Sequence, residues 1–329
     1  MTFLYIIIAL VLVFDFINGF HDSANSIATI VSTKVLSPFS AVLLAAVFNF
    51  IAFTVFPLKV AATMGKGVVH PEVINLTVIG AALIAAISWN LLTWWWGLPS
   101  SSSHTLVGGL VGAAIASSGI KAVVFGGVLK IVIFIVVAPL LGMILSYIIS
   151  IIVINIVQRQ SPFIVDKHFR RLQLLSAAAF SLGHGGNDAQ KSMGIIWVAL
   201  ITMGMATTQD KISLWIVLSC QTAIALGTLF GGWRIVKTMG QRITKLKPFE
   251  GFCAETAGAL TLFGATHFGI PVSTTHTITG SIIGVGAIKG TGAVKWGVTT
   301  KIFWAWILTI PISAGIGAGM YFILNLIVR

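Results

Sequence analysis

Charge is what this sequence of 329 residues has least of: Asp, Glu, Lys and Arg together make up 9% of it. Soluble domains carry about 25%. With 57% hydrophobic residues and a mean hydropathy of +1.01, a water-soluble fold is excluded. The chain reads as an all-α polytopic membrane protein with about 10–12 membrane segments, each needing about 20 residues. Cysteine is nearly absent too. Cys220 and Cys253 stand in or beside apolar segments without metal-ligand spacing, which leaves them as small packing residues. Acids number eight against twenty bases, a net charge of +12. In a soluble chain that balance would suggest nucleic acid; here Lys and Arg gather in loops, as the positive-inside rule requires. The start of the chain lacks the basic segment of a secretory signal and reads as a first helix.

Against this apolar background a few polar stretches stand out. Gly19-Phe20-His21-Asp22-Ser23-Ala24-Asn25-Ser26 puts a carboxylate, an imidazole and an amide inside a run fit for a bilayer. Gly183-His184-Gly185-Gly186-Asn187-Asp188-Ala189-Gln190-Lys191-Ser192 does the same in the other half. An ionisable group at that depth costs about 2.5–3.5 kcal/mol on insertion scales, so it marks a functional site.

The halves match in order. Asp22 pairs with Asp188, Thr63-Met64-Gly65 with Thr238-Met239-Gly240, Pro99 with Pro271 and Lys130 with Lys301, at offsets of 166, 175, 172 and 171. The chain is therefore divided into a first repeat at 1–157, a basic connector at 158–171 and a second repeat at 172–329. The loop near 59–72 holds two lysines, whereas its counterpart near 237–250 holds four basic residues. If basic loops face the cytoplasm, these equivalent loops lie on opposite sides. The repeats are then inverted, the connector is cytoplasmic and both termini face outside. Inverted repeats with broken helices and a midplane site are a construction of secondary transporters. The first helix, 3–33, is expected to break near Asn18-Gly19, and 122–157 to be kinked or split.

Two more stretches are paired: Pro99-Ser100-Ser101-Ser102-Ser103-His104-Thr105 and Pro271-Val272-Ser273-Thr274-Thr275-His276-Thr277. A proline and a hydroxyl cluster between apolar segments suit the tip of a re-entrant helical hairpin, where free N–H groups and the helix dipole face an anion. Ser101, Ser102, Ser103, Thr105, Ser273, Thr274 and Thr275 are the candidate oxyanion ligands, with Lys191 beside them. Asp22, Asn25, Asn187, Asp188 and Gln190 offer oxygens suited to a hard cation such as sodium, and Glu255, a third intramembrane acid, is a further candidate ligand, either beside that site or at a separate cation site. The plainer alternative is that Lys191 neutralises Asp188 and the acids only hold helices together. His104 and His276 either bond the anion or brace the hairpin backbone.

At these residues the sequence resembles the PiT family of inorganic phosphate transporters, in its short prokaryotic form. The likeness rests on Gly19 to Asn25, Gly185 to Lys191, Pro99 to Thr105 and Pro271 to Thr277. It implies cation-coupled phosphate symport by alternating access in a plasma (inner) membrane, with Asp22 and Asp188 essential and the hairpin hydroxyls on phosphate. No cofactor is expected, the oxygen donors make sodium the expected co-transported ligand, and a homodimer paired through outer helices, as in many transporters of this size, is the one protein partner to consider. Relatives of this type also use protons or carry sulfate. His21 stands where the family has Asn, and Gln190-Lys191 where it has Ala-Asn, so the two halves are not equivalent. An intramembrane hydrolase built on a hairpin Ser with His104 or His276 would need one oriented nucleophile, not duplicated clusters. An anion channel would set buried acids against its own permeant ion.

Overall fold

The computed structural model describes residues 1–327, the side chains of Gly65 and Lys66 apart. Among these, twelve α-helices follow one another: α1 (Thr2–Ser32), α2 (Pro38–Ile51), α3 (Lys59–Lys66), α4 (Leu76–Trp96), α5 (Ser102–Ser118), α6 (Phe125–Val157), α7 (Pro162–Thr202), α8 (Leu214–Phe230), α9 (Trp233–Lys237), α10 (Pro248–His267), α11 (Thr274–Ile288) and α12 (Trp296–Ile327). Local chemistry sets many of their ends. Proline stands at the start of α2, α7 and α10, where its missing N–H costs nothing. The side chains of Ser37 and Asn75 accept backbone N–H bonds at the starts of α2 and α4. Gly97 closes α4 with a φ of +65°.

Three expectations are corrected. α1 runs unbroken through Asn18-Gly19. Gly19 serves a different need: a Cβ there would lie 2.1 Å from the Ile224 carbonyl oxygen, so the missing side chain lets α1 touch the backbone of α8. Gly185 does the same for α7 against Asn49 of α2, at 2.4 Å. The stretch 122–157 is neither split nor two segments; α6 is one helix of 33 residues with Pro139 inside it. The connector is shorter than 158–171, because α7 begins at Pro162 and carries Lys167, Arg170 and Arg171 on its early turns.

α1, α4, α6 and α12 are each long and apolar enough to cross a membrane, and α8 with the segment Trp233–Arg242, bent by 60° at the break, makes a fifth. The remaining helices fall short by that measure because α2, α5 and α11 have 17 residues or fewer and α7 and α10 carry buried polar side chains.

Packing follows a pattern of exchange. α5 lies on α12 and α11 on α6; α1 lies on α8 and α7 on α2; α4 packs on α1 and α10 on α7. The two helical hairpins, α4–α5 and α10–α11, are held at their bends by the other half. Thr238 Oγ1 donates to the Gly97 carbonyl (2.9 Å) and Arg234 to that of Trp95 (2.6 Å). In the same way Thr63 Oγ1 donates to Gly269 (2.8 Å) and Lys59 to His267 (3.1 Å). These bonds satisfy carbonyls that a helix end would leave unpaired.

Close backbone approach makes one glycine indispensable and another free. Gly19→Val should destabilise the protein by at least the 1–3 kcal/mol or so typical of overpacking, because a carbonyl cannot swing aside as a side chain can. Gly264→Ala, with nothing within 4 Å, should be neutral. Thermal melts in detergent check both; equal melting points would remove the close contact as a constraint.

Candidate functional site

α1 and α7 lie antiparallel, and polar side chains meet between them rung by rung. Thr33 Oγ1 donates to Gln173 (2.9 Å). Thr29 and Ser176 both donate to Glu255, at 2.5 Å each. Asp22 faces His184 and Asp188, and Ser192 Oγ donates to Asp15 (2.5 Å). Asp15, Asp22 and Thr29 are seven residues apart, so the rungs are spaced by two turns, about 10 Å. All these side chains are buried.

The middle rung is where the hairpins arrive. Ser101 caps α5 by accepting the His104 N–H (3.3 Å), and Ser273 caps α11 by accepting that of His276 (3.2 Å). The first two residues past the cap of α11 reach the acids. Thr274 Oγ1 donates to Asp188 Oδ2 (3.1 Å) and Thr275 Oγ1 to Asp22 Oδ1 (3.4 Å). Asn25 Nδ2 donates to both hydroxyls, at 3.2 and 3.0 Å. From the other hairpin, Ser103 Oγ accepts from Lys191 Nζ. Lys191 also donates to Asp188 Oδ1 (2.5 Å) and the Val272 carbonyl (2.9 Å). The tips touch each other: the rings of His104 and His276 are 4.8 Å apart, and His276 stacks on Trp306 at 4.0 Å. Both histidines are thus braces between hairpins.

Three acceptors face one another at the centre. Asp22, His184 and Asp188 each bring a ligand atom to within 4.8 Å of the others. His184 Nδ1 lies 3.1 Å from Asn49 Oδ1, while the Asn49 amide donates to Thr228 (2.9 Å). That network assigns the ring proton to Nδ1. The lone pair of Nε2 is left toward Asp188, 3.3 Å from Oδ2 and not aligned for a hydrogen bond. Thr274 and Lys191 donate to Asp188 and Thr275 to Asp22; the lone pairs left over, with that of His184 Nε2, have the spacing of a metal-ligand set. Asn25 Oδ1, Asn187 Oδ1 and Ser102 Oγ are buried and have no partner. A buried polar atom left unpaired costs about 1–3 kcal/mol, which a ligand would recover.

Not every expected ligand joins this network. Gln190 is occupied elsewhere: its amide donates to the Pro57 carbonyl (3.1 Å) and its oxygen accepts from Val60 N–H (3.0 Å), tying the 57–61 segment to α7. Thr105 donates to Asn90 Oδ1 (3.0 Å) and to backbone carbonyls of its own hairpin. Glu255 sits on a separate rung, with Gln173 as a third donor (3.0 Å). Asn187 donates to Thr266 (3.0 Å) on α10. Sequence reading gave no role to His184 or Asp15. Their spacing carried a signal, since His184, Asp188 and Ser192 share a face of α7 and Asp15 and Asp22 a face of α1.

One arrangement invites an enzymatic reading. His21 Nδ1 lies 2.7 Å from Asp22 Oδ1, and its Nε2 is 3.4 Å from Ser100 Oγ. That is a hydroxyl, an imidazole and a carboxylate in line. Thr93 Oγ1 is nearer to Nε2, at 3.1 Å, and itself lies 2.8 Å from Ser100 Oγ. The trio is a buried brace between α1 and the first hairpin.

With this geometry in place, comparison with known proteins is direct. Residues 18–317 match the model of the phosphate transporter family. A probable low-affinity inorganic phosphate transporter of Rhizobium meliloti is 56% identical over 98% of this chain and 96% of its own. One of Bacillus subtilis is 47% identical over 99% and 98%. A solved structure described as the sodium-dependent phosphate transporter superposes with a TM-score of 0.89 at 27% identity, covering 99% of this chain and all of the other. These names are those of transporters, and none is that of an enzyme. The chain, a multi-pass helical membrane protein, belongs to the phosphate transporter family.

Proposed function

We propose that this protein is a sodium-coupled symporter of inorganic phosphate that works by alternating access. The observation that carries the reading is the cluster of Asp22, His184 and Asp188 acceptors within 4.8 Å, met directly by the first turn of α11 and, through Lys191, by that of α5. Hard cations take oxygen ligands, and the carboxylates with Asn25 Oδ1 and Asn187 Oδ1 form such a set. Helix starts with free N–H groups and hydroxyls suit a tetrahedral oxyanion. Ser102, Ser103, Thr274 and Thr275 would line that side. An oxyanion alone would meet two buried carboxylates of which Lys191 offsets only one; with sodium bound it meets a neutralised pocket. Coupling follows from that difference in electrostatic energy. The solved relative's own description names sodium and phosphate.

Alternating access is supported by the exchange of contacts between halves. Each hairpin lies against the partner half's long helix, and its bend is held by the partner half's Thr63 or Thr238. That is the relation expected of inverted repeats, with 1–157 and 172–329 as the repeats and the basic connector in the cytoplasm. Rocking one half would loosen one set of hairpin contacts and keep the other. Both termini would face outside a plasma (inner) membrane.

Purified protein in liposomes should take up labelled phosphate only under an inward sodium gradient. Uptake driven equally by a pH gradient without sodium would move the coupling to protons. Asp22→Asn and Asp188→Asn should each abolish coupled uptake while leaving the folded protein intact by size-exclusion chromatography. Near-normal uptake by either would remove that acid from the cation site. Ser103→Ala or Thr275→Ala should weaken apparent phosphate affinity by about 1.5–3 kcal/mol, one hydrogen bond to a charged group. That is tenfold or more in KM, and an unchanged KM would separate the hairpin tips from phosphate.

A further inference from the structure

The two halves differ at several places inside the site, and at one of them an amide is exchanged for an ammonium. Three residues after Asp22 stands Asn25; three residues after Asp188 stands Lys191. Both positions are buried, and each sends its side chain to the first turn of a hairpin helix. Asn25 reaches Thr274 and Thr275 of α11, and Lys191 reaches Ser103 of α5. The equivalence is therefore in space as well as in sequence. Asn25 leaves its Oδ1 free, an oxygen available to a cation beside Asp22. Lys191 instead brings an ammonium into the matching position.

That ammonium is placed as a bound ion would be. An ammonium has three N–H donors, and Lys191 Nζ has three oxygen partners: Asp188 Oδ1 at 2.5 Å, the Val272 carbonyl at 2.9 Å and Ser103 Oγ. These oxygens come from α7, from the turn before α11 and from the start of α5. No N–H is left to donate to a phosphate, which sets this placement apart from the role of oxyanion ligand expected for Lys191. Removing a buried ammonium would leave the Asp188 carboxylate unpaired, a costly state, unless a free cation replaced it.

We infer that Lys191 is a tethered coupling cation, filling at Asp188 the position that in an amide-bearing half would belong to a mobile sodium ion. The inference rests on the sodium-symport reading and adds a stoichiometry to it. The protein carries one sodium per phosphate at the Asp22 side, and the second positive charge stays with the protein through the cycle. The positive charge at Asp188 is then independent of the sodium concentration, so transport depends on sodium to the first order only.

The test replaces Lys191 with the residue its own repeat partner carries. In proteoliposomes with a sodium gradient, the ratio of labelled sodium to labelled phosphate taken up should double in Lys191→Asn relative to wild type. The dependence of the rate on sodium should change from hyperbolic to sigmoidal. Lys191→Arg, which keeps the charge, should keep the wild-type ratio. A second measurement needs no transport: sodium titrated without phosphate, followed by calorimetry, should fill one site in wild type and a further site in Lys191→Asn. A Lys191→Asn protein that folds, melts cooperatively and binds no additional sodium would overturn the inference while leaving sodium coupling standing. Wild-type uptake that ignores sodium altogether would instead overturn the coupling ion itself, and the tethered-cation account with it.

Discussion

Carboxylates buried in an apolar bundle must be neutralised or hydrogen-bonded, and that requirement organises this protein. Taking an ionised side chain out of water costs several kcal/mol even after relaxation. The chain nevertheless buries Asp15, Asp22, Asp188 and Glu255 along one line between α1 and α7. Each is answered differently. Glu255 takes three neutral donors, from Thr29, Gln173 and Ser176. Asp188 takes an ammonium, Asp22 an imidazole, and Asp15 a single hydroxyl. In the middle Asp22, His184 and Asp188 bring acceptor atoms to within 4.8 Å of one another, and two helix starts converge. The proposed sodium and phosphate sites lie there.

The rest of the architecture serves to hold that cluster in place. Helices can only come close enough to share these groups where side chains are missing, which is the work of Gly19 and Gly185 at the α1–α8 and α7–α2 crossings. The hairpins are braced from three directions: caps at Ser101 and Ser273, the ring contacts of His276 edge-on with His104 and stacked on Trp306, and carbonyl bonds at both bends from α3 on one side and from the segment following α8 on the other. Trp306 Nε1 donates to the Pro99 carbonyl (3.1 Å), so the long helix α12 also fixes the first hairpin's turn. Outside this interior the protein is apolar; α6 and α12 present rows of exposed Ile, Leu, Phe and Trp, as faces in lipid do. Polar atoms lie along the seam and hairpin tips, and the contacts that the halves exchange are those on which the proposed alternating access would act.

Much of this was written in the sequence. Scarcity of charge determined the membrane class, the paired motifs suggested a duplication, and the isolation of Asp22, Asp188 and the two proline-hydroxyl stretches pointed to residues that the fold brings together. Those features are legible because burying an acid or a hydroxyl cluster in an apolar run is costly, so their presence has few explanations. What the tertiary structure alone decided is how each polar side chain is used. Gln190 turned to the 57–61 segment and Thr105 to Asn90, although their motif positions resemble those of true neighbours of the site. Gly19 became a contact and not a break, because α8 lies against it. Asp15 and His184 gained their places from α7 and α1 running antiparallel, a relation between residues some 170 positions apart that no local pattern encodes. Sequence spacing gives the face of a helix; only packing gives the partner, since hydrogen bonds and ion pairs depend on distances across helices that the chain order leaves free.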